Sequence, residues 1–459
     1  MWLTRGGIAA AALRRSSTST SGNILRCRRG LLTLAIESSC DDTSVAIVEK
    51  IANPRGGDQA RIHFLENITA DSRAHRGIHP ILALESHQEN LADLVNKALK
   101  SLPSTYDASR VIRLADGSTR RRPDFISATR GPGMRSNLSV GLDTGKALAV
   151  AWQIPIVGVH HMQAHLLTPR LVSCLGQTGA LDTAAQSSPS FPFLSLLVSG
   201  GHSIIVHSQS LTEHKIMASS DDIAMGETLD KAAREILPPA LLEQAKTTMY
   251  GKTLEQFVFP NGPADFAGYR PPMTRGEEVA KRKSKWGWSI TTPFANTRAL
   301  QLSFSSVASM VNKLVKQRGG LLSDEERVDL GREAMRVCFE HLSSRTIIAL
   351  EALRLRGRDE EQIKTLVISG GVAANKFLMH VLRSCLAARG FEKMNIVAPP
   401  SDLCTDNAAM IGWAGIEMYE AGWRTRLSCR ALRKWTLDPQ AEDGGILGPT
   451  GWVRDQAML

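Results

Sequence analysis

Two histidines four residues apart, His161 and His165 in Val159-His160-His161-Met162-Gln163-Ala164-His165, are the first residues whose types and spacing point to chemistry. On a helix that spacing sets both imidazoles on one face, within reach of a single divalent ion. The pattern is not that of an H-E-x-x-H peptidase, because Met162 and Gln163 supply no carboxylate to act as general base. A histidine pair alone is more often structural than ligating, so a third ligand decides the matter. Asp406, in Cys404-Thr405-Asp406-Asn407, is a candidate from a distant loop. Mixed histidine and carboxylate ligation suits iron or zinc better than magnesium.

Two glycine pairs point to an anion. In Ser199-Gly200-Gly201-His202-Ser203 the missing side chains would let backbone N–H groups approach a phosphate, with Ser199 and Ser203 as further donors. Gly370-Gly371 precedes a helical stretch whose N-terminus also favours negative charge. One such pair alone is most simply a turn; two make nucleotide binding the better reading. Asp41, Asp42 and Asp230 could hold a metal, a water, or a substrate hydroxyl or amine, or could be plain surface carboxylates.

The elements that must position these residues follow from the hydrophobic pattern. Leu31–Ile36 and Val45–Val48 flank the polar turn Glu37–Thr43 and predict a β-hairpin; Phe193–Val198 and Ile204–Val206 repeat the design around the glycine turn. A third strand, Thr365–Ile368, runs through Ser369-Gly370-Gly371 into a helix over Ala373–Leu386. Helical patterns cover Ile81–Leu99 and Leu138–Ala151, the latter entered from the strand Phe125–Ala128 through Arg130-Gly131-Pro132-Gly133. Two similar units about 160 residues apart predict a duplicated α/β fold with a ligand between two lobes. The expected division is residues 31–190, then 191–430 with an irregular insertion at about 251–300, then a peripheral tail over 431–459. Residues 174–190, rich in Gly, Ser, Thr and Ala, are expected to form a surface loop between the lobes.

With 459 residues, 43% of them hydrophobic and 22% charged, the chain has a globular composition with no apolar run long enough to span a bilayer. The net charge is +10, but six arginines fall before residue 30 and the first acidic residue is Glu37. An Arg-rich, Ser-rich, acid-free start over residues 1–30 reads as an organelle transit peptide, with a basic tail as the alternative. Seven scattered cysteines without a C-x-x-C pair argue against a disulfide scaffold or a zinc knuckle. Within the insertion, Arg275, Lys281, Arg282, Lys283 and Lys285 with Trp286 and Trp288 combine charge and aromatic surface, as a single-stranded RNA loop would require. A solvated insertion explains the same stretch.

The strings IESSCDDTSVAIV, GPGMRSNLSVGLDTGKALA, VHHMQAHLL, FLSLLVSGGHSIIV, GETLDKAAR, LVISGGVAAN and CTDNAAMIGWAG occur in order between residues 36 and 415. Together they resemble the TsaD-like family of the actin-like (ASKHA, RNase H-like) superfamily, and with the Arg-rich leader most resemble its mitochondrial branch. The resemblance implies two actin-like lobes around a cleft and transfer of the threonylcarbamoyl group of threonylcarbamoyl-AMP to tRNA. The acceptor would be the adenosine next to the anticodon of mitochondrial tRNAs reading ANN codons, with AMP released. It further implies one divalent metal ion (iron or zinc) per subunit on His161, His165 and Asp406, a homodimer, no membrane and a place in the mitochondrial matrix. By the same matching Leu197, Val198, Ser199, Gly200 and Gly201 would cradle the phosphate or threonylcarbamoyl group, Asp230 would touch the ribose, and Asn375 would contact the nucleoside. Asp41, Asp42, Gly370 and Gly371 would be further cleft residues.

The chain departs from the family pattern in three places. Where many members carry Tyr-Pro-Gly-Gly-Pro, it has Tyr250-Gly251-Lys252-Thr253-Leu254-Glu255, so Gly251 is the candidate for the glycine beside the ribose. Residues 256–302 exceed the bacterial link in length. The bacterial P-E-L-A-S-R-x-H helix reads Pro80-Ile81-Leu82-Ala83-Leu84-Glu85-Ser86-His87. No Ser-His-Asp or Cys-His arrangement demands a covalent intermediate, which makes direct transfer the expected route. Two other classes share part of the pattern: a metal-dependent glycoprotein endopeptidase would use the histidine pair, and an actin-like ATPase or sugar kinase would share the hairpins and glycine turns.

Overall fold

The structure is a computed structural model that describes residues 30–455 except 53–56, 73–74, 76, 106, 177–186, 245–248 and 357–362. The Arg-rich leader, and most of the loop expected over 174–190, lie outside the described residues.

Fourteen strands are described: β1 (Leu31–Glu37), β2 (Asp42–Ala52), β3 (Asp58–Thr69), β4 (Val111–Arg113), β5 (Thr119–Arg121), β6 (Phe125–Gly131), β7 (Ile156–His160), β8 (Phe193–Val198), β9 (Ser203–Ser208), β10 (His214–Ser219), β11 (Thr365–Ser369), β12 (Asn395–Val397), β13 (Trp423–Thr425) and β14 (Trp452–Arg454). The first lobe is built on the sheet β14-β13-β7-β6-β1-β2-β3 and the second on β10-β9-β8-β11-β12. In each, a three-strand antiparallel meander is followed by two strands parallel to its first member: β1-β2-β3 then β6 and β7, and β8-β9-β10 then β11 and β12. The identical local order, third-second-first-fourth-fifth, is the duplicated α/β architecture that the two hairpins predicted, in the two-lobed form that the family resemblance implies. Strands β6 and β7, and most of β11, are buried on both faces, and the central residues of β7 and β11 read as short apolar runs.

Helices close both sheets. They are α1 (Pro80–Lys100), α2 (Arg135–Trp152), α3 (His161–Leu175), α4 (Met225–Ile236), α5 (Pro239–Glu243), α6 (Tyr250–Val258), α7 (Arg275–Val279), α8 (Ser305–Gln317), α9 (Asp324–Arg356), α10 (Lys376–Ala388), α11 (Ser401–Cys404) and α12 (Ala408–Glu420). Helices α1 and α2 cover one face of the first sheet, and α4, α6, α8, α9 and α10 share a core with the second. Helices α3 and α12 follow the fifth strand of each repeat, pack on one another and lie between the lobes. Both are apolar nearly all round, as a helix buried on every side must be. Among the described residues no helix is long and apolar enough to cross a membrane.

The boundary expected at residue 430 moves. Helix α12 packs on β1, β2 and β6, and β13 and β14 extend the first sheet, so residues 408–455 return to the first lobe. The expected peripheral tail is a structural part of that lobe: Trp435, Leu437 and Ile446 are buried in its core. Strands of three residues carry too short a period to be read from the sequence.

Candidate functional site

Helix α3 begins at the site. His160 is its N-cap: Nδ1 accepts from the Met162 and Gln163 amides at 3.2 and 3.4 Å, leaving Nε2 to donate to the Trp435 carbonyl at 3.2 Å. Burial, followed by repulsion from His161 and His214, drives His160 down to about 3, so it stays neutral in this role. His161 and His165 then stand one turn apart on the helix, as their spacing predicted. Asp406 arrives from the equivalent end of the other repeat. It immediately precedes Asn407, the N-cap of α12, whose Oδ1 accepts from the Met410 amide at 3.0 Å. Duplication therefore brings two matching helix starts to one point.

The three side chains converge. His165 Nε2 lies 3.0 Å from Asp406 Oδ1, His161 Nε2 lies 3.4 Å from the same oxygen, and the two Nε2 atoms are 3.2 Å apart. Ligand atoms about 2.1 Å from one metal ion would stand about 3.0–3.4 Å from each other, so the donor set fits a metal. The surroundings agree. His161 Nδ1 faces Glu37 Oε2 at 3.3 Å and Ser39 Oγ at 3.2 Å. A proton held on Nδ1 by Glu37 leaves the Nε2 lone pair free to ligate, the usual way an outer carboxylate fixes a histidine tautomer. Glu37 in turn accepts from the Ser39 amide at 2.6 Å and from the Thr129 hydroxyl.

Charge follows the same logic. Burial pulls His161 down, but Asp406 and Glu37 together carry it well above the ordinary value. Burial would raise Asp406 and Glu37, yet His161 holds both below the usual carboxylate range, Asp406 far below. The carboxylates thus favour positive charge at the point where the three side chains meet. The Asp406 backbone is held by the first lobe, where Asn67 Nδ2 donates to its carbonyl at 3.2 Å. His165 Nδ1 has no partner among the described residues.

The glycine turn lies beside this centre: His202, at its end, is pulled down to about 4 by burial and then by His161 and His165. Leu197 and Val198 are buried at the end of β8. The Ser199 hydroxyl accepts from the Gly201 and His202 amides at 3.3 and 3.0 Å, while the Gly200 N–H has no protein partner among the described residues. Two of the amides proposed for an anion are thus already engaged, though only by a rotatable hydroxyl. Space around the turn is open, since a methyl group on Gly200 or Gly201 would meet nothing within 4 Å.

In the second glycine pair only Gly370 is tightly packed. Gly370 has φ +93 and a methyl there would lie 2.5 Å from the Val198 carbonyl, so glycine is required for packing. The N-terminus of α10 is also occupied: Asn375 Oδ1 accepts from the Leu378 amide at 2.9 Å and Glu255 from the Lys376 amide at 2.7 Å. Those caps serve the start of α10 and leave the Gly371 amide, five residues earlier, without a protein partner among the described residues. Asn375 keeps its place near the cleft, but its carbonyl serves the helix.

Asp230 and Gly251 do meet. The Gly251 amide donates to Asp230 Oδ1 at 2.7 Å, and Arg234 stacks on Tyr250 with its guanidinium carbon 5.5 Å from the ring centre. Burial pushes Asp230 up to about 6 despite that bond. Asp41 and Asp42 flank the centre without joining its three ligands; burial, then the Thr69 hydroxyl and the neighbouring Asp406, leave Asp42 at about 7.

The basic-aromatic stretch is not an open platform. Trp288 is buried with Nε1 on Glu326 at 3.1 Å, and Trp286 Nε1 donates to Asp329 at 3.0 Å. Lys285 pairs with Glu325 and Asp329, Arg282 with Glu340, and Arg275 with Glu278. The acidic first half of α9 thus neutralises much of the loop, and both indoles are held by carboxylates. A cavity of about 450 Å³ opens beneath, between Phe259, Phe266, Trp288 and Phe377, behind the cleft rather than in it.

Glu37 and Ser39 were not singled out in the sequence. The signal was a carboxylate ending an otherwise apolar strand, a position where a buried acid needs partners.

Comparison with known proteins completes the picture. The family model described as TsaD: tRNA N6-adenosine threonylcarbamoyltransferase matches residues 63–413. The mitochondrial tRNA N6-adenosine threonylcarbamoyltransferase of Schizosaccharomyces pombe is 34% identical over 93% of this chain and 90% of its own. The tRNA N6-adenosine threonylcarbamoyltransferases of Zymomonas mobilis and Brucella anthropi are 30% and 33% identical, covering 90% and 89% of this chain and 93% and 96% of theirs.

Proposed function

The chain belongs to the TsaD family of tRNA N6-adenosine threonylcarbamoyltransferases, acyltransferases that modify tRNA, and from that premise we propose its particular reaction. Threonylcarbamoyl-AMP is the donor, and the acceptor is the N6 amine of the adenosine next to the anticodon of mitochondrial tRNAs reading ANN codons. The amine nitrogen bonds to the carbamoyl carbon, the carbon–oxygen bond to the phosphate breaks, AMP leaves with the electron pair, and the amine loses a proton to solvent. The observation that carries this reading is the convergence of His161, His165 and Asp406 beside the open Ser199–Gly201 turn.

The chain's own residues have defined parts in it. His161, His165 and Asp406 hold the metal ion, iron or zinc by their donor types. When bound, the ion supplies Lewis-acid polarisation and a fixed point for the threonylcarbamoyl group. Glu37 and Ser39 keep His161 in the ligating tautomer. The Gly200 amide, joined by those of Gly201 and His202 once Ser199 rotates, stabilises charge on the departing phosphate. Ionised Asp230 accepts from the ribose. An exocyclic amine is a weak nucleophile, so positioning contributes more than any base.

The peptidase alternative finds no free base in Glu37, the carboxylate that touches His161 from behind, which is fully buried and bonded to His161, Ser39 and Thr129. The mitochondrial setting rests on the fission-yeast relative, the homodimer on resemblance to the mitochondrial branch, and the matrix on the Arg-rich leader.

Incubation of the metal-replete protein with threonylcarbamoyl-AMP and unmodified tRNA is expected to yield threonylcarbamoyladenosine. His161→Ala should lose bound metal and at least roughly a hundredfold of the rate. An inactive wild type, or a fully active His161→Ala variant, removes the proposal.

A further inference from the structure

A second basic stretch differs from the insertion loop in every respect that matters to a polyanion. Between Glu420 and Asp438 stand five basic residues, Arg424, Arg426, Arg430, Arg433 and Lys434, and no acidic one. Arg424 is engaged, its guanidinium 3.1 Å from the centre of the Tyr419 ring. The other four are exposed, and their side chains have no hydrogen bond or carboxylate partner among the described residues. Four like charges within nine residues repel one another, so a protein keeps them unpaired only at some cost in stability.

The backbone beneath them is fixed. Cys429, Ala431 and Trp435 are buried, the Leu432 amide donates to Arg130 at 2.8 Å, and the Trp435 indole donates to Gly445 at 2.9 Å. The cations are therefore presented from a rigid ledge rather than a loose tail. That ledge ends at the catalytic cleft. The Arg433 carbonyl accepts from the Gly133 amide at 3.3 Å; the next residue, Met134, donates to the Ser39 carbonyl at 2.9 Å; and Ser39 touches His161. The Trp435 carbonyl meets His160. Arg135, exposed on the first turn of α2, adds a fifth cation beside Gly133.

We propose that the ledge Arg426–Lys434, with Arg135, is the surface that grips the phosphate backbone of tRNA and leads its anticodon arm to the metal centre. The proposal rests on the acyl-transfer reading above. A free nucleotide offers too few charges to engage cations spread over nine residues, whereas an RNA strand presents phosphates in series.

The test is binding of an unmodified tRNA transcript at several salt concentrations. The variant Arg426→Gln/Arg430→Gln/Arg433→Gln/Lys434→Gln keeps much of each side-chain stem and should raise Kd roughly a hundredfold, with a salt slope shallower by about 3. Melting temperature should not fall, since the variant relieves like-charge repulsion, and metal content should not change. Should the quadruple variant fold poorly, the pairs Arg426→Gln/Arg430→Gln and Arg433→Gln/Lys434→Gln should each give roughly tenfold. Lys281→Gln/Lys283→Gln in the insertion should shift Kd by less than about twofold. Unchanged tRNA affinity in the quadruple variant overturns the placement, as does its selective loss of binding to phosphatidylserine-containing vesicles, which would mark a membrane face instead. A wild type that binds tRNA through the ledge yet transfers nothing sinks the acyl-transfer reading and leaves this surface standing.

Discussion

The turn after β1 and the turn after β8 hold the same place in their two sheets, and each is backed by a glycine with no room for a methyl, Gly133 against Ser39 and Gly226 against Ser199, but the turns' own residues differ in exposure. Around the first, Glu37, Ser38 and Ser39 are buried, and a methyl on Gly133 would lie 2.6 Å from the Ser39 carbonyl. Around the second, Gly200 and Gly201 are exposed, with nothing within 4 Å of either added methyl. The first turn faces a metal ligand and must hold a tautomer; the second faces the substrate space and must leave room. Duplication supplies two equivalent positions, and the burial of their own residues assigns them different work. A dense turn transmits orientation, because its neighbours cannot relax. An open turn transmits none, but keeps a backbone donor available.

The largest expected consequence is in stability. Gly133→Ala forces a methyl against backbone and should cost about 3 kcal/mol, whereas Gly200→Ala should stay within about 0.5 kcal/mol. Denaturant titration of both variants measures the difference, and equal midpoints would show that the two turns are not packed as unlike as they look. A smaller effect separates the turns chemically. Glu37→Gln removes the carboxylate behind His161 and should weaken metal binding roughly tenfold to a hundredfold. Ser199→Ala, at the corresponding place in the second turn, should leave metal affinity alone. Competition with a chelator reads both, and equal losses would erase the distinction.

The sequence carried the repeated hairpins because each has an apolar run on either side of a polar turn. It carried His161 and His165 because four residues is one helical turn. It did not carry the return of residues 408–455 to the first lobe. Nothing local in α12 says which sheet its apolar surface meets, and β13 and β14 are too short to read. The basic-aromatic stretch Lys281–Trp288 looked like an RNA platform because composition cannot tell an indole facing solvent from one bonded to Glu326 across a helix. The cations of Arg426–Lys434 were equally plain in the sequence, but their lack of partners belongs to the folded chain. The same limit hid the capping of α10: Asn375 and Glu255 are 120 residues apart, and only their meeting at one helix end satisfies the first amides of that helix.

Asp230, on the second lobe's open side, offers the finest test of the contrast. Burial raises its pKa to about 6, above the ordinary 3.8. The folded state therefore holds the proton more tightly than the unfolded chain, and the stability this group contributes is full below about pH 4 and lost as pH rises through about 6. Its role as an acceptor runs the other way. Only the carboxylate accepts from both ribose hydroxyls, so affinity for AMP, a stable stand-in for the donor, should rise about fivefold between pH 5 and 7. Asp230→Asn should flatten both trends: stability would no longer fall across that window, and AMP affinity would no longer climb. If AMP affinity is already flat in the wild type, Asp230 does not face the ribose, and its high pKa reflects only the packing around Gly251. The open turn would then owe its substrate contacts to backbone amides alone, and the contrast with the first lobe would narrow to the metal ligands.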